Sequence, residues 1–181
     1  VEEFFMSSQP RVRIGIIGAG AVSDYHHVPG IRLDPRAELV AACDSSESLL
    51  ELRKQEWSLD RVTTDYQEIC QDPDIDAVII ATPNFTHCPM AVAAARAGKH
   101  VMCTVPMATT IDECEQIVSL VAETGLKYMM AETVVYSREY LFIKEMYEKG
   151  ELGKIQYMQA SHPQDMEGWP EYWERMIPMH Y

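Results

Sequence analysis

Basic charge is scarce in this chain. Fifteen lysines and arginines stand against 28 aspartates and glutamates, giving a formal net charge of −13 and an isoelectric point near 4.8. Such a balance repels phosphate backbones and argues against a nucleic-acid partner. The acids are scattered rather than blocked, as on an ordinary solvated surface. Long apolar runs are missing as well. No stretch approaches the roughly 18 residues of a membrane span, and no basic-apolar-small leader opens the sequence. The expectation is a cytoplasmic protein with no membrane partner. The five cysteines (Cys43, Cys70, Cys88, Cys103 and Cys114) are odd in number, far apart and without a CxxC pair. They read as reduced core thiols rather than a disulfide framework. The six histidines lack metal-ligand spacing, and the adjacent His26 and His27 point to different sides of a helix. No metal is expected. Internal repeats and low-complexity segments are also lacking.

What is present begins with the run Ile14-Gly15-Ile16-Ile17-Gly18-Ala19-Gly20-Ala21-Val22-Ser23. An apolar strand enters a tight turn and then a helix. Gly18 lets the chain turn, and Gly20 leaves room for a pyrophosphate beside the backbone. Ser23 is a small residue where the third glycine of the dinucleotide fingerprint allows helix and strand to pack. The N–H groups of the new helix, opened by Ala21 and Val22, point at the anion, and the helix dipole favours it. Asp44 closes the next apolar run about 24 residues beyond Gly20, near the spacing of a ribose-binding acid. Its carboxylate can accept from both ribose hydroxyls and would repel a 2′-phosphate. Only Ser45 and Ser46 follow it, so NAD is favoured over NADP. An N-cap for the helix starting near Ser46 is the competing, compatible role.

Strands and helices alternate with short connections, which predicts a doubly wound parallel sheet, a Rossmann-type α/β fold. Strands are expected over 12–17, 37–43, 61–63, 77–81, 100–103 and 127–130. The run 77–81 is apolar throughout and therefore central. Helices are expected over 21–33, 46–55 (Leu49, Leu50 and Leu52 inward) and 66–70. Thr86 is expected to cap an alanine-rich helix that stops at Gly98. Thr110 and Glu113 form a capping box for the next helix, whose inward stripe is Ile111, Cys114, Ile117, Val118 and Val121. A helix over 138–149 stops at Gly150, and 155–162 reads as a new strand. The organisation is a flexible terminus at 1–10, a dinucleotide-binding domain at 11–131 and the start of a second α/β domain at 132–181.

Between and after these elements come Ala81-Thr82-Pro83-Asn84-Phe85-Thr86-His87, then Gly98-Lys99-His100-Val101, Thr104-Val105-Pro106-Met107-Ala108 and finally Gly150 to Ile155. This ordered series resembles the glucose-fructose oxidoreductase / inositol dehydrogenase family (Gfo/Idh/MocA), which carries TPN, H, AGKHV and EKP elements in this order. The resemblance covers nearly the whole chain. It implies a Rossmann domain followed by an α/β domain whose open sheet carries a sugar site and subunit contacts. It implies NAD(P)-dependent hydride transfer on a sugar or cyclitol, a small carbohydrate-like substrate. Asn84 and His87 match family positions lining the nicotinamide side, and Thr82, Pro83, Thr104 and Pro106 complete the expected cofactor surroundings. Lys99 enters its strand from the opposite edge and is excluded as a catalyst.

One departure stands out. Thr104-Val105-Pro106 occupies the place of Glu-Lys-Pro, whose lysine exchanges a proton beside the transferred hydride. Val105 has no proton to exchange, and loss of a general acid or base typically costs ~10²–10⁴-fold in rate. A family branch with VPMA at this place fits the same resemblance. Tyr136 and Arg138 fall where the resemblance puts substrate-facing residues, and the tyrosine is a candidate proton relay. His180 lies near the start of the family's second catalytic segment and titrates in a useful range. His162, Trp169 and Trp173 either line a sugar pocket or fill the second domain's core. Three functions follow: an NAD-dependent oxidoreductase, a non-catalytic dinucleotide-binding protein, or an enzyme that cleaves glycosides by transient oxidation. Family members are about twice as long, so the second domain lacks the length to close its core. A homo-oligomer, or a partner supplying the rest, is expected.

Overall fold

The computed structural model describes residues 10–161, and the chain divides into two compact units between Ala131 and Glu132. The first unit is a six-stranded sheet of β1 (Val12–Ile17), β2 (Ala37–Cys43), β3 (Arg61–Thr63), β4 (Ala77–Ile80), β5 (His100–Thr104) and β6 (Tyr128–Ala131). Every pairing is parallel, and the strand order is β3-β2-β1-β4-β5-β6. The order reverses between β1 and β4, which is the doubly wound arrangement.

Adjacent strand residues point to opposite faces, and the core divides accordingly. Ile16, Ala42 and Ile79 pack on one face with Val28, Ile31, Leu50 and Trp57. Ile17, Ala41 and Ile80 pack on the other with Ile69, Ala91, Val92 and Ile117. The first face is covered by α1 (Val28–Leu33) and α2 (Glu47–Glu56), the second by α3 (Tyr66–Gln71), α4 (His87–Arg96) and α5 (Ile111–Thr124). Because both faces are covered, the central strands are continuously apolar instead of alternating. Burial also pushes the thiols up, Cys43 and Cys103 to about 12 and Cys70 to about 11. All five cysteines are free, and four are buried. Among the described residues no helix is long and apolar enough to cross a membrane. Among those residues no group of His, Cys, Asp and Glu side chains is arranged to hold a metal.

Several local expectations are corrected. The helix expected over 21–33 is interrupted by a π-helical turn, Ser23–His27, which runs into α1. Leu52 is 47% exposed, and Ile111 and Val118 are 73% and 56% exposed, so only Ile117 of that stripe is fully buried. The face that α5 buries is narrower than the apolar stripe from Ile111 to Val121. Thr86 does not cap α4: its backbone is already helical and its hydroxyl donates to the Pro83 carbonyl at 2.6 Å. The Thr110–Glu113 capping box forms in both directions.

In the second unit, a 3₁₀ turn at Thr133–Tyr136 leads to α6 (Arg138–Glu148), capped by the Ser137 hydroxyl accepting from Tyr140 N–H at 3.2 Å. Gly150, at φ 76°, follows the end of this helix. Residues 155–161 are irregular, so the strand expected from 155 is not formed over them, and His162 lies outside the described residues.

Candidate functional site: the carboxyl ends of β1, β2, β4 and β5

The turn after β1 is built around Gly18. Its φ is +100°, and a Cβ on it would stand 2.3 Å from the Ala81 carbonyl oxygen at the end of β4. Both facts demand glycine: the conformation is left-handed, and the colliding atom is backbone that cannot swing away. The Gly18 N–H donates to Cys43 O at 2.8 Å, and its carbonyl accepts the Ser23 hydroxyl at 2.5 Å. Ser23 is wholly buried. It therefore fills the close-packed position and also tethers the turn to the first helical residues.

Ala19 is clamped on both sides. Its N–H donates to Asp44 Oδ2 at 2.8 Å, and its carbonyl accepts Arg53 Nε at 3.2 Å. Gly20 then turns an open side outward, with no atom within 4 Å of where its Cβ would be. An anion can reach the backbone there, where N–H groups at a helix start have no intrahelical partners. Asp44, half-buried, holds this corner. Its second oxygen accepts the Ser46 N–H at 3.0 Å. Each carboxylate oxygen has thus taken one backbone N–H and retains capacity for a hydroxyl. Asp44 is not the N-cap of α2. Ser46 is, its hydroxyl accepting from Leu49 N–H at 3.3 Å, because Asp44 and Ser45 both precede the N-cap position between β2 and the helix.

Three residues that bear on this corner carry no sequence motif. Arg53 pairs with Asp24 at 3.0 Å and also with Glu56, and lies 5.4 Å from the centre of the Trp57 ring. The Trp57 indole N–H donates to the same Asp24 at 2.9 Å. Together they fasten α2 to the glycine turn and to the π-helical turn behind it. Asp24 and Arg53 are 29 positions apart in sequence, so neither periodicity nor local spacing marks them.

The ends of β4 and β5 form a second cluster. Thr82, Pro83 and Asn84 lead into a 3₁₀ turn, Asn84–Thr86. The Thr86 hydroxyl donates to Pro83 O, and the hydroxyls of Thr82 and Thr86 are 2.7 Å apart. Thr104 ends β5, Val105 and Pro106 follow it, and Val105 is 44% exposed. His87 is fully buried behind both loops, its Nδ1 2.7 Å from Pro106 O and its Nε2 2.8 Å from Thr82 O. Expected on the nicotinamide side, His87 is the first residue of α4 and points inward, with both ring nitrogens facing backbone carbonyls. Lys99 is at the other end of the sheet, donating to Asp72 O and Ile75 O at 2.6 and 2.7 Å.

The first unit therefore brings together Gly18, Gly20, Ala21, Val22, Ser23 and Asp44 on one side, and Thr82, Pro83, Asn84, Thr104 and Pro106 on the other. They flank the point where the strand order reverses, the usual ligand crevice of such sheets. Tyr136 is 65% exposed in the second unit. His180, Trp169 and Trp173 lie outside the described residues.

Residues 12–132 match the family described as an oxidoreductase family with an NAD-binding Rossmann fold. A glycosyl hydrolase family 109 protein of Shewanella baltica is 32% identical over 187 aligned positions, covering 90% of this chain and 39% of that protein. The uncharacterized oxidoreductase YdgJ of Escherichia coli is 30% identical, covering 88% of this chain and 46% of its own length. The crystal structure of scyllo-inositol dehydrogenase from Lactobacillus casei with bound NAD(H) and scyllo-inositol superposes with a TM-score of 0.75 at 28% identity. That match covers 80% of this chain and 43% of that one. The chain spans less than half the length of these relatives. With the matching region running through the whole sheet and both loop clusters, the chain belongs to the Gfo/Idh/MocA family of oxidoreductases.

Proposed function

We propose that this chain forms the NAD-binding part, and the beginning of the substrate part, of an enzyme that moves a hydride to or from a sugar or cyclitol. The observation that carries this reading is the open side of Gly20 next to the Asp44 carboxylate, at the crevice where the sheet reverses. The residues present fit the coenzyme. Gly18 to Ser23 would hold its diphosphate against the helix start. Asp44 would accept from the adenosine ribose and repel a 2′-phosphate, which favours NAD over NADP. Thr82, Pro83, Asn84, Thr104 and Pro106 would shape the nicotinamide end. When bound, the nicotinamide supplies a hydride donor or acceptor.

Val105 can neither give nor take the accompanying proton. Tyr136 and His180 are the proposed proton-handling residues, and the substrate is proposed to be carbohydrate-like. The bound scyllo-inositol of the similar Lactobacillus enzyme supports a cyclitol or sugar. A homo-oligomer is proposed, with subunit contacts made through the second domain.

A second reading is favoured by Val105 itself together with the similarity to a glycosyl hydrolase family 109 protein. In it, oxidation is transient: a hydride leaves the sugar, the glycosidic bond breaks, water adds, and the hydride returns. Net chemistry is hydrolysis. Incubating the full-length protein and NAD with panels of cyclitols, free sugars and glycosides separates the cases. Net NADH with an oxidised product supports the dehydrogenase. Free sugar without net NADH supports glycoside cleavage. Coenzyme binding with neither product leaves a non-catalytic dinucleotide-binding protein and removes both enzymatic readings.

A further inference from the structure

His87 lies behind the crevice and reaches two separate loops from one ring. Its side chain has no exposed surface, and its two nitrogens face the carbonyl oxygens of Pro106 and Thr82 at 2.7 and 2.8 Å. A carbonyl oxygen only accepts, so a ring with one N–H donates to one of the two while its other nitrogen packs against the second. The Thr104 hydroxyl is 3.5 Å from Nε2, at the limit of a hydrogen bond, and so contributes little beside the two shorter contacts. His87 is the first residue of α4, and the helix is anchored in the core through Cys88, Ala91 and Val92. The ring is thus held by packing while it grips the backbone that follows β4 and the backbone that follows β5.

We propose that His87 is a positioning residue, a strap that fixes the Thr82–Asn84 loop relative to the Thr104–Pro106 loop without touching the coenzyme. This rests on the NAD-binding reading above. In a doubly wound sheet each half takes one mononucleotide. The β1–β2–β3 half carries the glycine turn and Asp44, which have their own bracing from Ser23 and Arg53. The loops that His87 joins belong to the β4–β5–β6 half. Removing the strap therefore disturbs the nicotinamide end and leaves the adenosine-diphosphate end intact.

The test measures NADH and ADP-ribose binding by titration calorimetry for the wild type, His87→Asn and His87→Ala. ADP-ribose has the adenosine and diphosphate but lacks the nicotinamide. The wild type is expected to bind both. The variants are expected to hold ADP-ribose as the wild type does while NADH weakens on the order of tenfold. Unchanged NADH affinity, or equal losses for the two ligands, overturns the strap. A wild type that binds neither ligand overturns the coenzyme reading itself and the strap with it, a result visible before any variant is made. Should the variants not fold, nuclear magnetic resonance of isotope-labelled histidine in the wild type decides. A His87 ring N–H protected from solvent exchange supports the strap, and one that exchanges freely overturns it.

Discussion

Replacing Gly20 by alanine separates the coenzyme reading from simple fold stability. Nothing lies within 4 Å of the added methyl, and the backbone of Gly20 is outside the left-handed region. An alanine is then accommodated without strain, and the unfolded chain loses freedom. The expected change is a gain of roughly 0.4–1 kcal/mol in stability. For a unit of this size that corresponds to a melting temperature higher by roughly 1–4 °C. Binding should move the other way. The methyl occupies the space through which a diphosphate reaches the backbone, and each charge-assisted hydrogen bond lost there is worth about 1.5–3 kcal/mol. NADH affinity is expected to fall by roughly 10- to 100-fold. Calorimetric titration and thermal melting of the same preparation read both quantities. Gly18→Ala is the contrast: its Cβ meets the Ala81 backbone, so stability and binding should fall together. A Gly20→Ala protein that binds NADH as the wild type does would refute the reasoning.

Asp44→Ala leaves the N–H groups of Ala19 and Ser46 without their acceptors. It should cost roughly 1–3 kcal/mol in denaturant unfolding and weaken NADH binding further than Gly20→Ala does in the same titration. Val105→Lys adds a family lysine at a half-exposed strand end. Its stability should stay within about 0.5 kcal/mol of wild type. If the valine limits proton transfer, its dehydrogenase rate on a cyclitol panel should rise by roughly 10²-fold or more. Burial raises the thiols of Cys43 and Cys103 from 9.0 to about 12. A raised folded-state value means the stabilising contribution is complete below pH 9.0 and is lost as pH climbs toward about 12. The unfolding free energy should fall across that interval, and Cys43→Ala should flatten the decline.

The centre of the sheet is legible because β1, β2 and β4 end in short apolar runs buried on both faces, whereas β3 and β6 are short and partly exposed. The glycine turn was legible for a similar reason. Gly18 and Gly20 have a local steric meaning, and Ser23 and Asp44 fall at spacings set by strand and helix length. What stayed hidden depends on contacts between distant positions. Arg53 reads as an exposed helix cation until the fold brings it to Ala19 O and Asp24. His87 reads as a ligand-facing residue in its motif, yet its placement as the first residue of α4 turns the ring inward. Thr86 has the right type for a cap, but the preceding 3₁₀ turn had already claimed its hydroxyl for Pro83 O. Leu52, Ile111 and Val118 show the same limit from the apolar side, since periodicity marks a face without fixing how wide a face the sheet covers.

The central claim is that a dinucleotide binds across the reversal point of the sheet, diphosphate at Gly20 and ribose at Asp44. Titrating the wild-type protein with NADH and, separately, NADPH in a calorimeter tests it most directly. Saturable binding of NADH at one site per chain, with NADPH clearly weaker, is the predicted result; absence of saturable binding by NADH would contradict it.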